Sequence, residues 1–532
     1  MQDPNGNVTH SIFDPESRLL TETNYEHPDM TGEQIVNTYA YDPRGLLIAS
    51  EDGNRHTTKY AYDAEGQQVK TVDPEGHWVA YAYSPSGFTK AERRPLGRDT
   101  EWEYDYRGNM QQEKDALGNV MKLELDIDGR TSIEHNKLDE ATAYIYDNAG
   151  RVKSKETPSN GIYTYEYDAV GNKLTETKPI YGTTSYDYDK RDSLTTVKEP
   201  QAKTAYTYDA DLNRTSQLDG NLQLTTYDYD EQGRRLAKTV VRAGSGQDYY
   251  EYTYDPNGNL LAEKKPGGLT MKYAYDYMNR KIREDYSNGT WVAYTYDKTN
   301  NVLTRSDATG TILYTYYDNN QLKQATYPNG DTMGYEYNLN GEKSAEIING
   351  KRSDVIHDTL GRPKTYTDTN RNEYTYEYDA DGFVTDIIYP NGTITKVSYK
   401  PGHLIDTQHT EKAGTTLHAS SYVYNAREFV TSGNDQGDAT AYTYNVREQL
   451  SGYMTPEGDN IQYEYDGAGN RTVRKTLIQG AAEDKNQTIT SDELLERVLA
   501  SFGMKQQPEP MDTPSLPDSG EASPCEPQCQ RA

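Results

Sequence analysis

Aromatic and polar residues alternate along most of the chain, in short runs that carry two tyrosines. In Tyr165-Glu166-Tyr167 and Tyr294-Thr295-Tyr296 one residue separates the two tyrosines, so both rings would lie on the same face of an extended strand. A second short run follows each pair, as in Asn259-Leu260-Leu261-Ala262. This period of two predicts β-strands, and the many threonines favour them further.

Turn-forming residues separate the predicted strands. Aspartate follows the second tyrosine and precedes proline, asparagine or glycine, as in Asp255-Pro256-Asn257-Gly258. Another turn signal closes the unit, as in Asp73-Pro74-Glu75-Gly76. These residue types suit tight turns, so each unit is predicted to be a β-hairpin. Two strands of about five to six residues and two turns of about four to five residues add up to roughly 21 residues.

The hairpin unit recurs 22 times between Phe13 and Tyr465. Of the 21 intervals between successive copies, 14 are 21 residues long and four are 20 residues long. Degenerate copies such as Leu125-Asp126 and His357-Asp358 keep the position. A fixed period of this kind indicates a repeat architecture. Three heptads would give the same period, but the frequent glycines and prolines oppose a continuous helix.

Twenty-two hairpins supply about 44 strands, which predicts an all-β fold. A flat sheet of that many strands would be roughly 210 Å wide at about 4.8 Å per strand, and strand twist makes so wide a sheet curl. We therefore expect the hairpins of residues 1–477 to form one long spiralling β-sheet, an open or partly closed shell. Ladders of tyrosines would stabilise this sheet through cross-strand pairs.

Two intervals of 25 residues carry polar insertions, around residues 243–246 and 411–414. We expect longer hairpin loops there, because surface loops tolerate added residues. A binding role for these loops is the alternative that we do not favour.

The repeat pattern stops after Arg471-Thr472-Val473. Residues 478–504 are predicted to hold a linker and a short amphipathic helix, which Thr490-Ser491-Asp492-Glu493 would cap. The apolar face of this helix would consist of Leu494, Leu495, Val498, Leu499 and Phe502. Residues 505–532 are rich in proline, serine and glutamate, so this tail is predicted to be disordered.

Tyrosine takes the place of most other large apolar side chains, because the 532-residue chain has 50 tyrosines against 5 phenylalanines and 3 tryptophans. Tyrosine rings can pack while their hydroxyls stay hydrogen-bonded. The net charge of −29 repels phosphate backbones, so we expect no nucleic acid to bind through the shell. No apolar run approaches the roughly 20 residues that span a bilayer, and the first residues lack a signal-peptide pattern. We therefore expect no membrane insertion.

The motifs point to no catalytic, cofactor-binding or metal-binding residue. Asp126-Ile127-Asp128-Gly129 and Asp379-Ala380-Asp381-Gly382 resemble parts of calcium loops but lack the remaining oxygen ligands. We favour the interpretation that each of these aspartates accepts N–H bonds in its own turn. His403 and His409 lie close together in sequence, but outside any metal-binding motif.

Three further features are explained more simply by structure than by chemistry. Cys525 and Cys529 are the only cysteines, and free thiols or one small disulfide loop are favoured over a zinc site. The sequon Asn288-Gly289-Thr290 falls where turn chemistry alone would place it. Tyrosines beside aspartates are also typical of sugar-binding surfaces, so a module that binds cell-surface glycans is the alternative to an architectural role.

The recurring unit, well preserved in Tyr252-Thr253-Tyr254-Asp255-Pro256-Asn257-Gly258-Asn259-Leu260, resembles the YD repeat of the Rhs family. The resemblance covers about 470 of the 532 residues. A single Tyr-Asp pair carries no information, but 22 copies of the unit in register, the degenerate ones included, are highly specific. The family includes bacterial polymorphic toxins, the shell component of insecticidal toxin complexes and the animal teneurins.

The resemblance implies a continuous β-strip that spirals into a hollow cocoon, which in the bacterial members encloses a toxic C-terminal domain. It implies a non-catalytic scaffold, secreted or at the cell surface. Its partner would be a toxin or effector polypeptide, or the adjoining parts of a longer Rhs protein. We find no conserved-type core region that ends in the Asp-Pro-x-Gly-Leu signature preceding the toxin, so no autoproteolytic aspartates are assigned. We therefore expect a shell segment that encloses or presents another polypeptide.

Overall fold

The computed structural model describes residues 1–180, 182–241 and 246–477. In these residues the chain forms 44 β-strands and two short 3-10 helices. The strands are β1 Val8–Phe13, β2 Leu19–Tyr25, β3 Gln34–Tyr41, β4 Leu47–Glu51, β5 Thr57–Tyr62, β6 Gln68–Val72, β7 Trp78–Tyr83, β8 Thr89–Arg93, β9 Thr100–Tyr104, β10 Met110–Lys114, β11 Val120–Leu125, β12 Thr131–His135, β13 Ala141–Tyr146, β14 Val152–Glu156, β15 Ile162–Tyr167, β16 Lys173–Lys178, β17 Gly182–Tyr188, β18 Leu194–Glu199, β19 Ala202–Tyr208, β20 Arg214–Leu218, β21 Leu224–Tyr229, β22 Arg235–Val241, β23 Gln247–Tyr254, β24 Leu260–Lys264, β25 Thr270–Tyr275, β26 Lys281–Tyr286, β27 Trp291–Tyr296, β28 Val302–Asp307, β29 Gly310–Tyr316, β30 Leu322–Thr326, β31 Thr332–Tyr337, β32 Lys343–Ile348, β33 Lys351–His357, β34 Pro363–Thr367, β35 Glu373–Tyr378, β36 Val384–Ile388, β37 Thr393–Lys400, β38 Leu404–Lys412, β39 Thr415–Tyr424, β40 Val430–Asp435, β41 Asp438–Tyr444, β42 Leu450–Met454, β43 Asn460–Tyr465 and β44 Arg471–Leu477. The 3-10 helices are Pro95–Gly97 and Pro266–Gly268.

All 44 strands belong to one open antiparallel sheet. Each strand pairs with the next one in the chain, from β1 with β2 to β43 with β44. Each repeat is a hairpin of one odd-numbered and one even-numbered strand. The predicted all-β hairpin repeat is therefore confirmed. No helix among the described residues is long and apolar enough to cross a membrane.

Every hairpin carries a register shift at the same place. In the pair of β13 and β14 the shift lies between Ile145 and Tyr146, opposite Val152. The same shift recurs in all 22 pairs of an odd-numbered strand with the following even-numbered strand. A bulge bends its strand and increases the local twist. Because the bend recurs once per hairpin, it adds up along the sheet.

Two kinds of turn alternate along the strip. A YD turn follows each odd-numbered strand and begins at the residue after the second tyrosine, and a return turn follows each even-numbered strand. In the YD turn of Asp147, the carboxylate Oδ1 accepts the N–H groups of Ala149 at 2.9 Å and Arg151 at 3.0 Å. Gly150 has a φ of 81°, which a residue without Cβ adopts at little cost. The aspartate therefore closes its own turn, as we expected.

The hydroxyl of the second tyrosine ties most hairpins to the preceding one. The Tyr167 hydroxyl donates to the backbone carbonyl of Val152, 3.0 Å away at the start of β14. Tyr337 donates to Leu322 in the same way, also at 3.0 Å. The tyrosines that make this bond are Tyr41, Tyr83, Tyr104, Tyr146, Tyr167, Tyr188, Tyr208, Tyr229, Tyr254, Tyr275, Tyr296, Tyr316, Tyr337, Tyr378, Tyr399, Tyr424, Tyr444 and Tyr465. Each bond crosses from one repeat to the next at the bulge.

An arginine four residues after the YD aspartate strengthens this connection in several repeats. Arg151 Nε donates to Asp147 Oδ2 at 2.7 Å, and its Nη1 donates to the carbonyl of Asp168 in the next repeat at 2.6 Å. Its guanidinium lies 4.7 Å from the centre of the Tyr167 ring, a cation–π contact. Further arginines with the same three contacts are Arg234, Arg280 and Arg362.

Contacts between residues far apart in sequence show that the strip coils back on itself. Asn54 Nδ2 donates to Asp297 Oδ2 at 2.9 Å, and the Lys137 N–H donates to Asp381 Oδ1 at 2.8 Å. Further pairs of this kind are Asn5 with Asp255, Glu75 with Asp318, Arg98 with Glu342, Ser159 with Glu428, Lys178 with Glu448 and Asn221 with Ala468. In each pair a return turn of the first coil meets a YD turn of the second coil. We call this line of contacts the seam.

The spacing of the seam partners gives the size of a coil. Asn54 follows β4 and Asp297 follows β27, so 23 strands separate the two turns. The 44 strands therefore make about two coils, which confirms the predicted spiral. At about 4.8 Å per strand, one coil has a circumference of roughly 110 Å and a diameter of roughly 35 Å. The strands of the described residues contact their neighbours within the sheet, and no large side chain among those residues is fully buried, as expected for a wall one sheet thick.

The strip has little solid core. One buried cluster joins Ile312, Tyr314 and Ala325, with Val302 and Leu322 packed against it. No large side chain among the described residues is fully buried. Each repeat therefore draws its stability from its two neighbours, as in other repeat proteins.

The second 25-residue interval corrects one expectation. Its extra residues lengthen β38 and β39 to 9 and 10 residues, and Ala413 and Gly414 alone connect the two strands. The insertion continues the backbone ladder and makes a longer hairpin, not a longer loop. Residues 242–245 of the first insertion lie outside the described residues, as do the predicted helix and tail of residues 478–532.

Because the two coils approach each other closely at Gly220, a single methyl group added there should lower the stability of the fold. A Cβ on Gly220 would overlap the backbone carbonyl of Gly467 across the seam. We expect Gly220→Ala to lower the free energy of unfolding by about 1–3 kcal/mol, the usual cost of overpacking. The matched control is Gly334→Ala, whose added Cβ would lie 3.6 Å from its nearest neighbour. Equal urea midpoints for the two variants would contradict the seam.

A second pair of variants tests the bond between hairpins. Tyr337→Phe removes the hydroxyl that donates to Leu322 and leaves that carbonyl unpaired, which should cost about 1 kcal/mol of unfolding free energy. Tyr335→Phe removes the hydroxyl of the first tyrosine of the same strand, β31, and serves as the control. Urea unfolding followed by tyrosine fluorescence measures both. A larger loss in Tyr335→Phe would refute the role of the second tyrosine.

Candidate functional site: the tyrosine face and its cleft

The face of the strip that carries the tyrosines also carries glutamates. The first tyrosine of a repeat lies opposite one residue of the following even-numbered strand, and in several repeats that residue is glutamate. Such pairs are Tyr81 with Glu92, Tyr165 with Glu176, Tyr252 with Glu263, Tyr273 with Glu284 and Tyr335 with Glu346. We call this surface the tyrosine face.

Glu284 illustrates how the tyrosine face holds its charges. Its residue surface is 8% exposed. Its carboxylate accepts the Tyr286 hydroxyl at 2.6 Å and pairs with Lys281 Nζ at 2.5 Å. Burial raises the pKa of Glu284, but the bonds from Lys281 and Tyr286 outweigh burial and bring this pKa below its ordinary value. The glutamate is therefore charged and fully occupied by its neighbours.

The burial pattern indicates that the tyrosine face is the concave side of the coil. In β15 the tyrosines Tyr163, Tyr165 and Tyr167 are half-buried, while Thr164 and Glu166 on the opposite face are exposed. Curling crowds the side chains on the inner face of a sheet and spreads those on the outer face, which explains this difference. The tyrosine rings thus line the space that the coils surround.

A cleft of about 500 Å³ opens on the tyrosine face next to the seam. Its lining includes Glu134, Glu140, Glu176, Tyr163 and Tyr165 of the first coil and His403 and Glu428 of the second. Glu140 Oε2 accepts the N–H of Gly402 at 3.1 Å. Glu428 Oε1 accepts the Ser159 hydroxyl at 2.8 Å. These carboxylates connect the two coils, and the cleft is part of the seam.

The carboxylates of the cleft bind donors of the chain itself. One such donor is Lys173, whose Nζ lies 2.6 Å from Glu176 Oε2. Burial raises the pKa of Glu176, but Lys173 outweighs this effect and the pKa lies below its ordinary value. Carboxylates and phenol rings thus make up much of the cleft lining.

The aspartates that resemble calcium loops bind neighbouring side chains and turns. Asp126 Oδ2 accepts Arg130 Nε at 2.7 Å, and Asp379 Oδ1 accepts the N–H of Phe383 at 2.9 Å. Asp381 Oδ1 accepts the Lys137 N–H across the seam. No group of three or more potential metal ligands occurs in the described ranges.

The two neighbouring histidines lie in different environments. The ring of His403 stacks on Phe383 with centroids 4.0 Å apart, and its Nε2 lies 2.9 Å from Asp381 Oδ2. His409 Nε2 lies 2.9 Å from the Thr416 hydroxyl on the next strand. Asn288 of the sequon closes its own turn through the N–H of Thr290 at 3.0 Å. Cys525 and Cys529 lie outside the described residues.

Sequence reasoning missed the seam, although one signal for it exists. Gly53, Gly161 and Gly220 occupy return turns without needing a positive φ. A glycine that its turn does not require often marks close approach of another backbone. A Cβ on Gly53 would lie 2.6 Å from the carbonyl of Lys298, and one on Gly161 would lie 2.6 Å from that of Ala426. These glycines could therefore have located the seam.

The half-buried tyrosines predict that the protein unfolds at alkaline pH. Burial raises the pKa to about 12 in Tyr273, Tyr296, Tyr316, Tyr335 and Tyr424, against about 10 in an unfolded chain. A raised folded-state pKa contributes stability that is complete below about pH 10 and is lost as the pH rises towards about 12. We expect tyrosinate absorbance and loss of β-sheet circular dichroism to rise together in that window. Complete titration of the tyrosines near pH 10 in an intact sheet would contradict this.

Two family models match the chain. The model described as RHS Repeat matches residues 41–77, 129–179 and 357–394. The model described as Teneurin YD-shell matches residues 175–356. A comparison with curated proteins found no match.

Two crystal structures resemble the fold of the whole strip. TcdB2-TccC3-TEV matches with 14% identity and a TM-score of 0.55 over 90% of this chain and 30% of that chain. TcdB2-TccC3-Cdc42 matches with 13% identity and a TM-score of 0.54 over the same shares. The chain thus spans 30% of the length of these proteins. The chain thus carries repeats of the RHS (YD) type over the residues that these two models match, and its coil shares the fold of these structures.

Proposed function

We propose that the chain is a non-catalytic shell segment that encloses or presents another polypeptide. The observation that carries this proposal is the seam, where return turns of the first coil meet YD turns of the second about 245 residues later. A strip that only curved would leave a groove open along its length. A strip sealed at a seam surrounds a space.

The estimated size of that space suits a polypeptide. A coil with a diameter of roughly 35 Å, lined by inward tyrosines, leaves a lumen roughly 20 Å across. An α-helix with its side chains is about 10–12 Å wide, so a helix or an extended chain would fit. One structural neighbour carries a second polypeptide in its name, TcdB2-TccC3-Cdc42. This name supports the proposal that the partner of this chain is also a polypeptide.

The tyrosine face supports the enclosing role over the glycan-binding alternative. Sugar recognition by tyrosine uses the exposed face of a ring. In this chain basic side chains cover many rings, for example Arg280 at 4.8 Å from the Tyr296 centroid and Lys343 at 4.2 Å from that of Tyr335. We propose toxin or effector polypeptides, or adjoining parts of a longer Rhs protein, as partners. By the same family resemblance we propose that the protein acts outside the cell or at its surface.

Protease protection tests enclosure. An unfolded reporter peptide joined to the C-terminus of the full chain should be cut at least about tenfold more slowly than the free peptide, because cleavage requires the protease to reach it. The control carries the same reporter between Ala413 and Gly414, at the tip of the hairpin of β38 and β39. Equal cleavage at the two positions would refute enclosure. Tight binding of the chain to a glycan array would favour the alternative.

A further inference from the structure

The two ends of the coil expose the same two kinds of turn that contact each other in the seam. The YD turns of the first coil, from Asp14 to Asp230, form one end, which we call the YD rim. The return turns of the second coil, from Lys265 to Asp459, form the other end, which we call the return rim. Apart from Asp459, the rim residues that the structure describes form hydrogen bonds within their own hairpin or with an adjacent hairpin. The YD rim thus exposes YD turns and the return rim exposes return turns. These are the two kinds of turn that contact each other in the seam.

Asparagines at the tips of return turns make characteristic seam bonds. Asn5 Nδ2 donates to Asp255 Oδ2 at 2.7 Å, and Asn54 Nδ2 donates to Asp297 Oδ2 at 2.9 Å. Asn221 Oδ1 accepts the N–H of Ala468 at 2.9 Å. A tip asparagine therefore recognises a YD turn through its aspartate or its backbone N–H.

The return rim carries asparagines at the same position of its turns. Asn288, Asn329, Asn370 and Asn391 occupy the third position of their turns, as Asn5 and the other seam asparagines do, and all four are exposed. Asn288 and Asn391 use Oδ1 to close their own turns. Their Nδ2 groups, like that of Asn370, donate no hydrogen bond within the described residues.

The YD rim offers acceptors of the matching kind. Asp255 Oδ2 accepts both Asn259 Nδ2 of its own turn and Asn5 Nδ2 of the other coil. On the YD rim Asp105, Asp168 and Asp209 accept the asparagine of their own turn in the same way, at 2.9 to 3.0 Å. Among the described residues, no second donor reaches their Oδ2 atoms as Asn5 reaches that of Asp255.

We propose that the return rim of one molecule binds the YD rim of a second copy of this chain, so that coils stack head to tail. The second copy offers the turn type, curvature and strip direction that already meet in the seam. The contact uses different surfaces on the two molecules, so it is heterologous and does not close after two copies. Stacks of more than two molecules should therefore form. The inference does not depend on what the lumen holds.

Charge sets the conditions under which stacks form. Each copy carries a net charge of −29, and the contacts pair neutral amides with carboxylates. Salt therefore screens repulsion between copies and removes little attraction. Association should strengthen as salt rises, the opposite of an interface held by ion pairs.

Sedimentation velocity of the full chain under reducing conditions tests the stacking. We expect the mean sedimentation coefficient to rise with protein concentration and with salt, beyond the value for a dimer. Replacing Asn288, Asn370 and Asn391 by aspartate sets carboxylates against the YD carboxylates, and should weaken association at least about tenfold. The urea midpoint should stay unchanged, because these side chains lie at the rim.

A control adds the same charge elsewhere. The triple variant Thr164→Glu, Thr253→Glu and Thr315→Glu alters exposed strand positions away from both rims, and should stack like the parent chain apart from a small shift in its salt dependence. Four results would overturn the proposal: a monomer at every concentration and salt level, association that stops at the dimer, an unaffected rim variant, or equal loss in both triple variants. If the chain is a monomer under every condition, the rims would instead contact other parts of a longer protein.

Discussion

The structure depends on one hydrogen bond, from the hydroxyl of the second tyrosine to the carbonyl at the start of the preceding even-numbered strand. A wall one sheet thick has no opposing layer to pack against, so its repeats must be held by their neighbours. Tyr167 does this for Val152, and Arg151 covers the Tyr167 ring while binding the YD turns on both sides. Tyrosine suits this position because its ring supplies apolar contact and its hydroxyl reaches a backbone acceptor.

The same interaction explains how local chemistry becomes global shape. The tyrosine bond sits at the bulge of most hairpins, and the same register shift recurs from hairpin to hairpin, so that each bulge adds to the bend of the strip. Repeated along 44 strands, the bend closes a coil after 23 strands and brings Asn54 to Asp297. The seam then forms between turns whose polar groups face each other. The lumen follows from the bend, and enclosure of a polypeptide is our proposal for its use.

Local regularity explains which features could be predicted from the sequence. The alternation in Tyr165-Glu166-Tyr167 and the turn at Asp255 determine strand, face and turn within one repeat, and the period multiplies them into a spiralling sheet. The seam depends on which repeats meet after a full coil. That depends on the bend angle of the strip, which cannot be read from the sequence of a single repeat. The sequence therefore assigns Asp381 to its own turn alone, although it also accepts the Lys137 N–H across the seam. The insertion at residues 411–414 was wrongly expected to form a loop, because its polar residues pair with neighbouring strands that the sequence does not identify.

The distance between Arg55 and Lys298 tests the coiled strip most directly. These exposed residues flank the contact of Asn54 with Asp297, and each can carry a spin label after replacement by cysteine in a chain whose Cys525 and Cys529 have been changed to serine. The account predicts labels close to contact distance, because the two turns meet at the seam. An uncoiled strip would separate them by 23 strands, roughly 110 Å at about 4.8 Å per strand. A separation of that order would contradict the coil, the seam and the lumen together.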